Sequence, residues 1–176
     1  MKSKLLISSL FVSSLFAATA NATIGTVNFK GEITDKTCEV DAASANQTVN
    51  MGKVSVKEFA GENKVAAATK FSIKLTECPT EVKNALVKFD GSSHESKGKL
   101  LALTTDSKNA KGVAIGIYED NSDKLVGLYK DSKSYAIEKG AAELPFVAKY
   151  VATSDNVSAG SANAVARFTV AYTQLT

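Results

Sequence analysis

The chain has 176 residues, 44% of them hydrophobic, with 21 Lys and Arg against 18 Asp and Glu. That is apolar material for one domain with a core, and the charge balance is too even to point to nucleic acid or an anionic membrane surface. Two cysteines and one histidine do not make a metal-ligand set.

Met1-Lys2-Ser3-Lys4 is followed by an apolar, small-residue run from Leu5 to Ala20 and then by Ala20-Asn21-Ala22, an A-x-A site. This order predicts a secretory signal peptide over residues 1–22, cut between Ala22 and Thr23. The alternative is a retained anchor, but the run is short for a bilayer span and is broken by Ser8, Ser9, Ser13 and Ser14. Losing Lys2 and Lys4 takes the 21 basic residues to 19 against 18 acidic ones, a net charge of +1.

The next stretch, Thr23 to Ile33, reads T-I-G-T-V-N-F-K-G-E-I. It alternates, with Val27, Phe29 and Ile33 on one face and Gly31 in register among them. It lies ahead of the first cysteine and outside any hairpin. A terminal strand with one apolar face needs a sheet to join. That sheet belongs to the next copy of the same protein, or else the stretch is an ordinary edge strand of its own domain, with Gly31 marking a bulge.

Cys38 and Cys78 are an even pair in an exported chain, which predicts a disulfide rather than two buried thiols. Closing that loop is worth about 4 kcal/mol in the chain-entropy view. Downstream, period-2 runs predict strands at Phe71-Ile73-Leu75, Val113-Ile115-Ile117, Phe146-Ala148-Tyr150-Ala152 and Ala166-Phe168-Val170-Tyr172. Weaker runs fall at Thr48 to Val54, Ala85 to Asp90, Leu100 to Thr104 and Leu125 to Leu128. Turn clusters separate them at Asp90 to Ser93, Asp106 to Asn109, Glu119 to Asp123 and Ser158 to Ser161. Pro79 predicts a strand end beside Cys78, and Pro145 a strand start. The Ala-rich stretch Ala60 to Thr69 has room for one helical turn. Many short strands predict an all-β chain, a sandwich of immunoglobulin type, and the absence of Trp excludes an antibody-like domain built on a core Trp.

Catalytic motifs are missing. His94 sits alone in a turn-like stretch, and there is no G-x-S-x-G, P-loop, G-x-G-x-x-G or H-E-x-x-H pattern. Carboxylates are scattered, so no acid/base pair stands out. The expectation is a protein without enzymatic activity or cofactor.

Five motifs in order carry a resemblance. They are Gly25 to Ile33, Cys38-Glu39-Val40-Asp41 with Gln47-Thr48-Val49, Phe71-x-Ile73-x-Leu75-x-x-Cys78, Leu144-Pro145-Phe146-x-Ala148-x-Tyr150, and Gly160 followed by Phe168-x-Val170-x-Tyr172. Together they resemble the major structural subunits of type 1 fimbriae, assembled by the bacterial chaperone–usher route. One departure is that Thr173-Gln174-Leu175-Thr176 follow Tyr172, which in the family is next to last. The resemblance implies an incomplete immunoglobulin-like β-sandwich over residues 35–176, preceded by a donor-strand extension at 23–34. It implies that Val27, Phe29, Gly31 and Ile33 enter the groove of a neighbouring copy. It implies that Gly160, Phe168, Val170 and Tyr172 belong to the acceptor groove and the C-terminal strand contacted by a chaperone. The implied partners are copies of the chain itself, a periplasmic chaperone, an outer-membrane usher, other pilins and a tip adhesin, in fimbriae on the bacterial surface that support adhesion. A minor or adaptor pilin, or a self-contained lectin-like adhesin, are the alternatives at this point.

Overall fold

The computed structural model describes residues 25–31, 33 and 36–174, so the predicted signal peptide and its cut between Ala22 and Thr23 lie outside the described residues. The chain divides into a leading unit ending at Ile33 and a body beginning at Thr34. In the leading unit the described residues hold no strand, for an alternating segment without a partner has no ladder to form. Val27, Phe29 and Ile33 are 74%, 92% and 102% exposed, so its whole apolar face is open to water.

The body is all-β apart from two short helical pieces. In chain order it comprises β1 (Glu39–Val40), α1 (Ala42–Ala45), a 3-10 turn (Val56–Glu58), β2 (Val65–Thr76), β3 (Val82–Gly91), β4 (Val113–Glu119), β5 (Tyr135–Ala136), β6 (Ala142–Ala152) and β7 (Ala166–Gln174). One sheet has the order β1-β2-β6-β4 and the other β5-β3-β7, and every strand pair within them is antiparallel.

The alternation decides which side chains meet between the sheets. Ile73 and Leu75 of β2, Leu144, Phe146 and Ala148 of β6, Ile115 and Ile117 of β4, and Ala85, Val87 and Phe89 of β3 are all buried in one cluster. Its centre is aromatic: Phe89 meets Phe146 edge to face with ring centroids 5.0 Å apart, and Phe71 and Tyr135 pack at 5.7 and 5.8 Å from Phe146. Central β6 is buried on its other face too, where Val151 joins Leu100 and Ala114 under Tyr118 and Leu125. The structure is an immunoglobulin-like sandwich short of one strand, as the edge of β7 shows below.

Several sequence expectations are corrected. Pro145 lies inside β6 rather than at its start, opposite Ser72 of β2. It stands one residue past the end of the β4 pairing at Phe146, where a residue without an N–H is tolerated. The Ala-rich stretch holds no helical turn. Val65 and Ala66 pair with Val151 and Tyr150, and cross-strand pairing overrides alanine's helix preference; the 3-10 turn falls earlier. The pairing shifts register between Ala66 and Thr69, with Ala67 at φ 55°. Thr48 to Val54 holds no strand, and Leu100 to Thr104 and Leu125 to Leu128 reduce to single bridges, Leu101 with Ile115 and Leu125 with Tyr118. The turn cluster at Asp90 starts late, since β3 continues through Gly91.

Cys38 and Cys78 are joined, across a sequence separation of 40. The bond ties the residue before β1 to the segment after β2 and closes the ends of that antiparallel pair. Replacing either cysteine by serine is expected to cost about 4 kcal/mol of stability. Denaturant unfolding of the variant beside the wild type, with and without reductant, measures it; an unchanged midpoint would refute the structural role.

Candidate functional site

β7 has one neighbour. Among the described residues it pairs with β3 along its length and with no strand on its other edge. The consequence is visible in burial. Phe168, Val170 and Tyr172 face the core, opposite Phe89, Val87 and Ala85, yet they are only half-buried while those three partners are buried. A core-facing row stays wet only where the next strand of the sheet is missing.

Beside that edge runs a groove of about 1120 Å³. One wall is the chain from Ala162 to Phe168, the other the irregular segment Asn46 to Gly52. Its floor is the apolar core itself, with Phe71, Ile73, Phe89, Ile115, Ile117 and Tyr150. The far wall is held by α1, whose first turn is capped by the Asp41 carboxylate accepting from Ala43 N–H at 3.0 Å. Ser44 Oγ there accepts from Lys74 N–H at 3.0 Å, and Gln47 Nε2 donates to Ser72 O at 3.1 Å. The wall is thus fastened to β2 by side chains and leaves the groove open.

The two walls meet at one end, where Tyr172 Oη donates to Cys38 O across 3.4 Å. Toward the other end Tyr150 rises through the floor and donates from Oη to Ala162 O at 3.0 Å. Burial pushes the phenols of Tyr150 and Tyr172 above their ordinary value, so both remain neutral donors and the interior carries no charge from them. The chain's one arginine, Arg167, lines the mouth from the exposed face of β7.

Gly160 stands just before this wall and has a steric reason to be glycine. A Cβ there would lie 2.2 Å from Ala110 N and 2.3 Å from Asn109 C. The close approach lets Ser161 N–H donate to Lys108 O and accept, through its own carbonyl, from Ala110 N–H. These bonds, with Thr104 N–H to Asn163 O at 2.8 Å, fix where β7 begins.

Of the residues singled out in the sequence, the structure joins Cys38 to Cys78 and puts Phe168, Val170 and Tyr172 in a row along the open edge. Gly160 is the anchor of that edge rather than part of the groove lining. Val27, Phe29, Gly31 and Ile33 belong to the leading unit, where Gly31 has nothing within 4 Å of a would-be Cβ. The second wall was not legible as a wall: Gln47-Thr48-Val49 alternates weakly and looks like one more strand. Among the described residues no group of His, Cys, Asp and Glu is placed to hold a metal.

With this geometry in place, comparison with known proteins is informative. A family model described as fimbrial protein matches residues 27–173. The probable major fimbrial subunit LpfA of Escherichia coli O157:H7 is 41% identical over 149 residues, covering 84% of this chain and 83% of that protein. Long polar fimbria protein A of Salmonella typhimurium LT2 is 35% identical over 167 residues, covering 94% and 93%. Among solved structures, the type I fimbria protein BPSL1626 of Burkholderia pseudomallei matches with a TM-score of 0.61 at 36% identity, over 84% of this chain and 97% of that one. The P pilus rod subunit PapA shares the fold, with a TM-score of 0.63 at 22% identity over 77% and 99%. The chain belongs to the fimbrial protein family, and it is a pilin subunit.

Replacing Gly160 by alanine is expected to displace the Lys108–Ala110 strap and cost about 1–3 kcal/mol, because the atoms in the way are backbone. A thermal melt of the folded subunit checks this; an unchanged midpoint would show that the strap yields freely.

Proposed function

We propose that the groove beside β7 receives the leading segment of another copy, residues 23–34, as its missing strand, and that repetition of this step builds the fibre. The observation that carries the proposal is the unpaired edge of β7 above an open apolar floor. A free strand edge over an exposed core is costly in water, and an alternating segment with one apolar face relieves both costs at once. Strand addition of this kind is a recurring recognition mode, and chaperone–pilin complementation is a known instance of it.

The leading segment is suited to the task. Val27, Phe29 and Ile33 would enter the groove, contributing about 5–9 kcal/mol by burial. Gly31, on the same face, fits a place where the floor rises, as it does at Tyr150. Thr26, Asn28, Lys30 and Glu32 would face solvent. The signal peptide over 1–22 sends the chain to the periplasm, and residues 35–176 form the pilin domain.

Each copy gives one strand and takes one. Such a contact joins unlike surfaces head to tail, so it propagates as an open filament. Until a neighbour arrives, a periplasmic chaperone lends a strand to the same groove, and an outer-membrane usher exchanges it. Other pilins and a tip adhesin complete the surface fimbria. The role is structural and involves no catalysis.

Deleting Thr23 to Glu32 from the mature chain is expected to give a soluble, chaperone-bound subunit that accepts a strand and donates none. Electron microscopy and sedimentation of the product decide the matter. Fibres that still grow from the truncated chain would overturn the proposal.

A further inference from the structure

The inward face of β4 reads Val113, Ile115, Ile117 and then Glu119. Glu119 is 1% exposed, a carboxyl group on the core face of a sandwich. Its Oε1 accepts from Lys133 N–H at 2.7 Å, and its Oε2 lies 2.8 Å from Tyr135 Oη. That same phenol oxygen lies 3.0 Å from Pro145 O.

These three oxygens pose a proton count. A phenol has one proton to give, and a carbonyl has none. With Glu119 ionised, Tyr135 serves one neighbour, and the other short oxygen–oxygen contact has no proton in it. One more proton, on Glu119, fills both. The surrounding charges favour the neutral acid as well. The cations nearby each face another carboxylate: Lys70 to Asp120 at 2.9 Å, Lys88 to Asp131 at 3.3 Å and Lys149 to Asp123 at 2.8 Å. The ammonium of Lys133 lies over the Tyr135 ring, 4.9 Å from its centroid. Glu143 on β6 accepts from Ser72 Oγ. Asp120, next in the chain, adds a like charge, its own carboxyl held below the usual range by Lys70. A second, buried carboxylate here would be desolvated and without a cation.

We propose that Glu119 is a buried protonation site of the folded subunit, its Oε2–H donating to Tyr135 Oη while Tyr135 donates to Pro145 O. The relay joins the end of β4 to β6 and to the segment before β5. Ser132 extends the same segment to the other sheet, accepting at Oγ from Val87 N–H at 2.9 Å. One neutral chain of hydrogen bonds thus clamps the two sheets at the end of β4, independently of how the groove is filled.

The test uses the folded, full-length mature protein and its Glu119→Gln variant. An amide donates and accepts where a neutral acid does, and it cannot copy a carboxylate. At neutral pH the infrared difference between wild type and E119Q is expected to show the carbonyl stretch of an un-ionised carboxyl, and the two proteins are expected to melt together. The unfolded chain gives up this proton above about pH 4.3. From there upward, the wild-type folding constant should fall relative to that of E119Q by about tenfold per pH unit, until the folded group itself ionises. The depressed carboxyls of Asp120, Asp123 and Glu81 titrate alike in both proteins and cancel. A missing carboxyl band, a pH-independent difference, or a variant that fails to fold at neutral pH would each overturn the proposal.

Discussion

The outer edge of β7 is the constraint on which the rest of this structure depends. A strand paired on one side only leaves half its backbone groups facing outward and its core-facing side chains half wet. Everything notable about the subunit follows from keeping that edge straight and available without letting the sandwich collapse over it. The floor beneath is densely packed, with Phe89 and Phe146 at its centre, so the gap has a fixed shape rather than a soft one.

Three devices hold the gap open. The Cys38–Cys78 bond anchors the start of the far wall to the end of β2. The Tyr172–Cys38 and Tyr150–Ala162 hydrogen bonds bound the opening at its two ends, with phenols that burial keeps neutral. The backbone contact at Gly160 fixes the first residues of the near wall. Each acts on a wall and none on the space between, which suits a fold completed from outside.

The polar chain through Glu119, Tyr135 and Pro145 performs a complementary task. A sandwich lacking a strand has fewer inter-sheet contacts on one side. Directional bonds at the end of β4 specify how the sheets sit where apolar packing alone would permit sliding. Such bonds are strong only when every donor and acceptor is satisfied, which makes the protonation state of one carboxyl a structural matter.

The sequence by itself determined the class of fold and the identity of the strands that carry their own pattern. Phe71-Ile73-Leu75, Ile115-Ile117, Phe146-Ala148 and Phe168-Val170-Tyr172 alternate because one face must be dry, and that requirement is written locally. The leading segment was legible for the same reason, as was the cysteine pair. Only the tertiary structure decided what depends on a neighbour distant in the chain. Pro145 sits inside a strand because β4 ends beside it, and the Ala-rich stretch is extended because Tyr150 and Val151 pair with it. Thr48 to Val54 is a wall because nothing lies opposite to make it a strand. Glu119 looks like a turn residue in the sequence, and it becomes a core residue because β4 places it in phase with Ile115 and Ile117. Periodicity records the environment of a residue's own face; pairing, gaps and proton sharing arise between segments, where a linear pattern has no term for them.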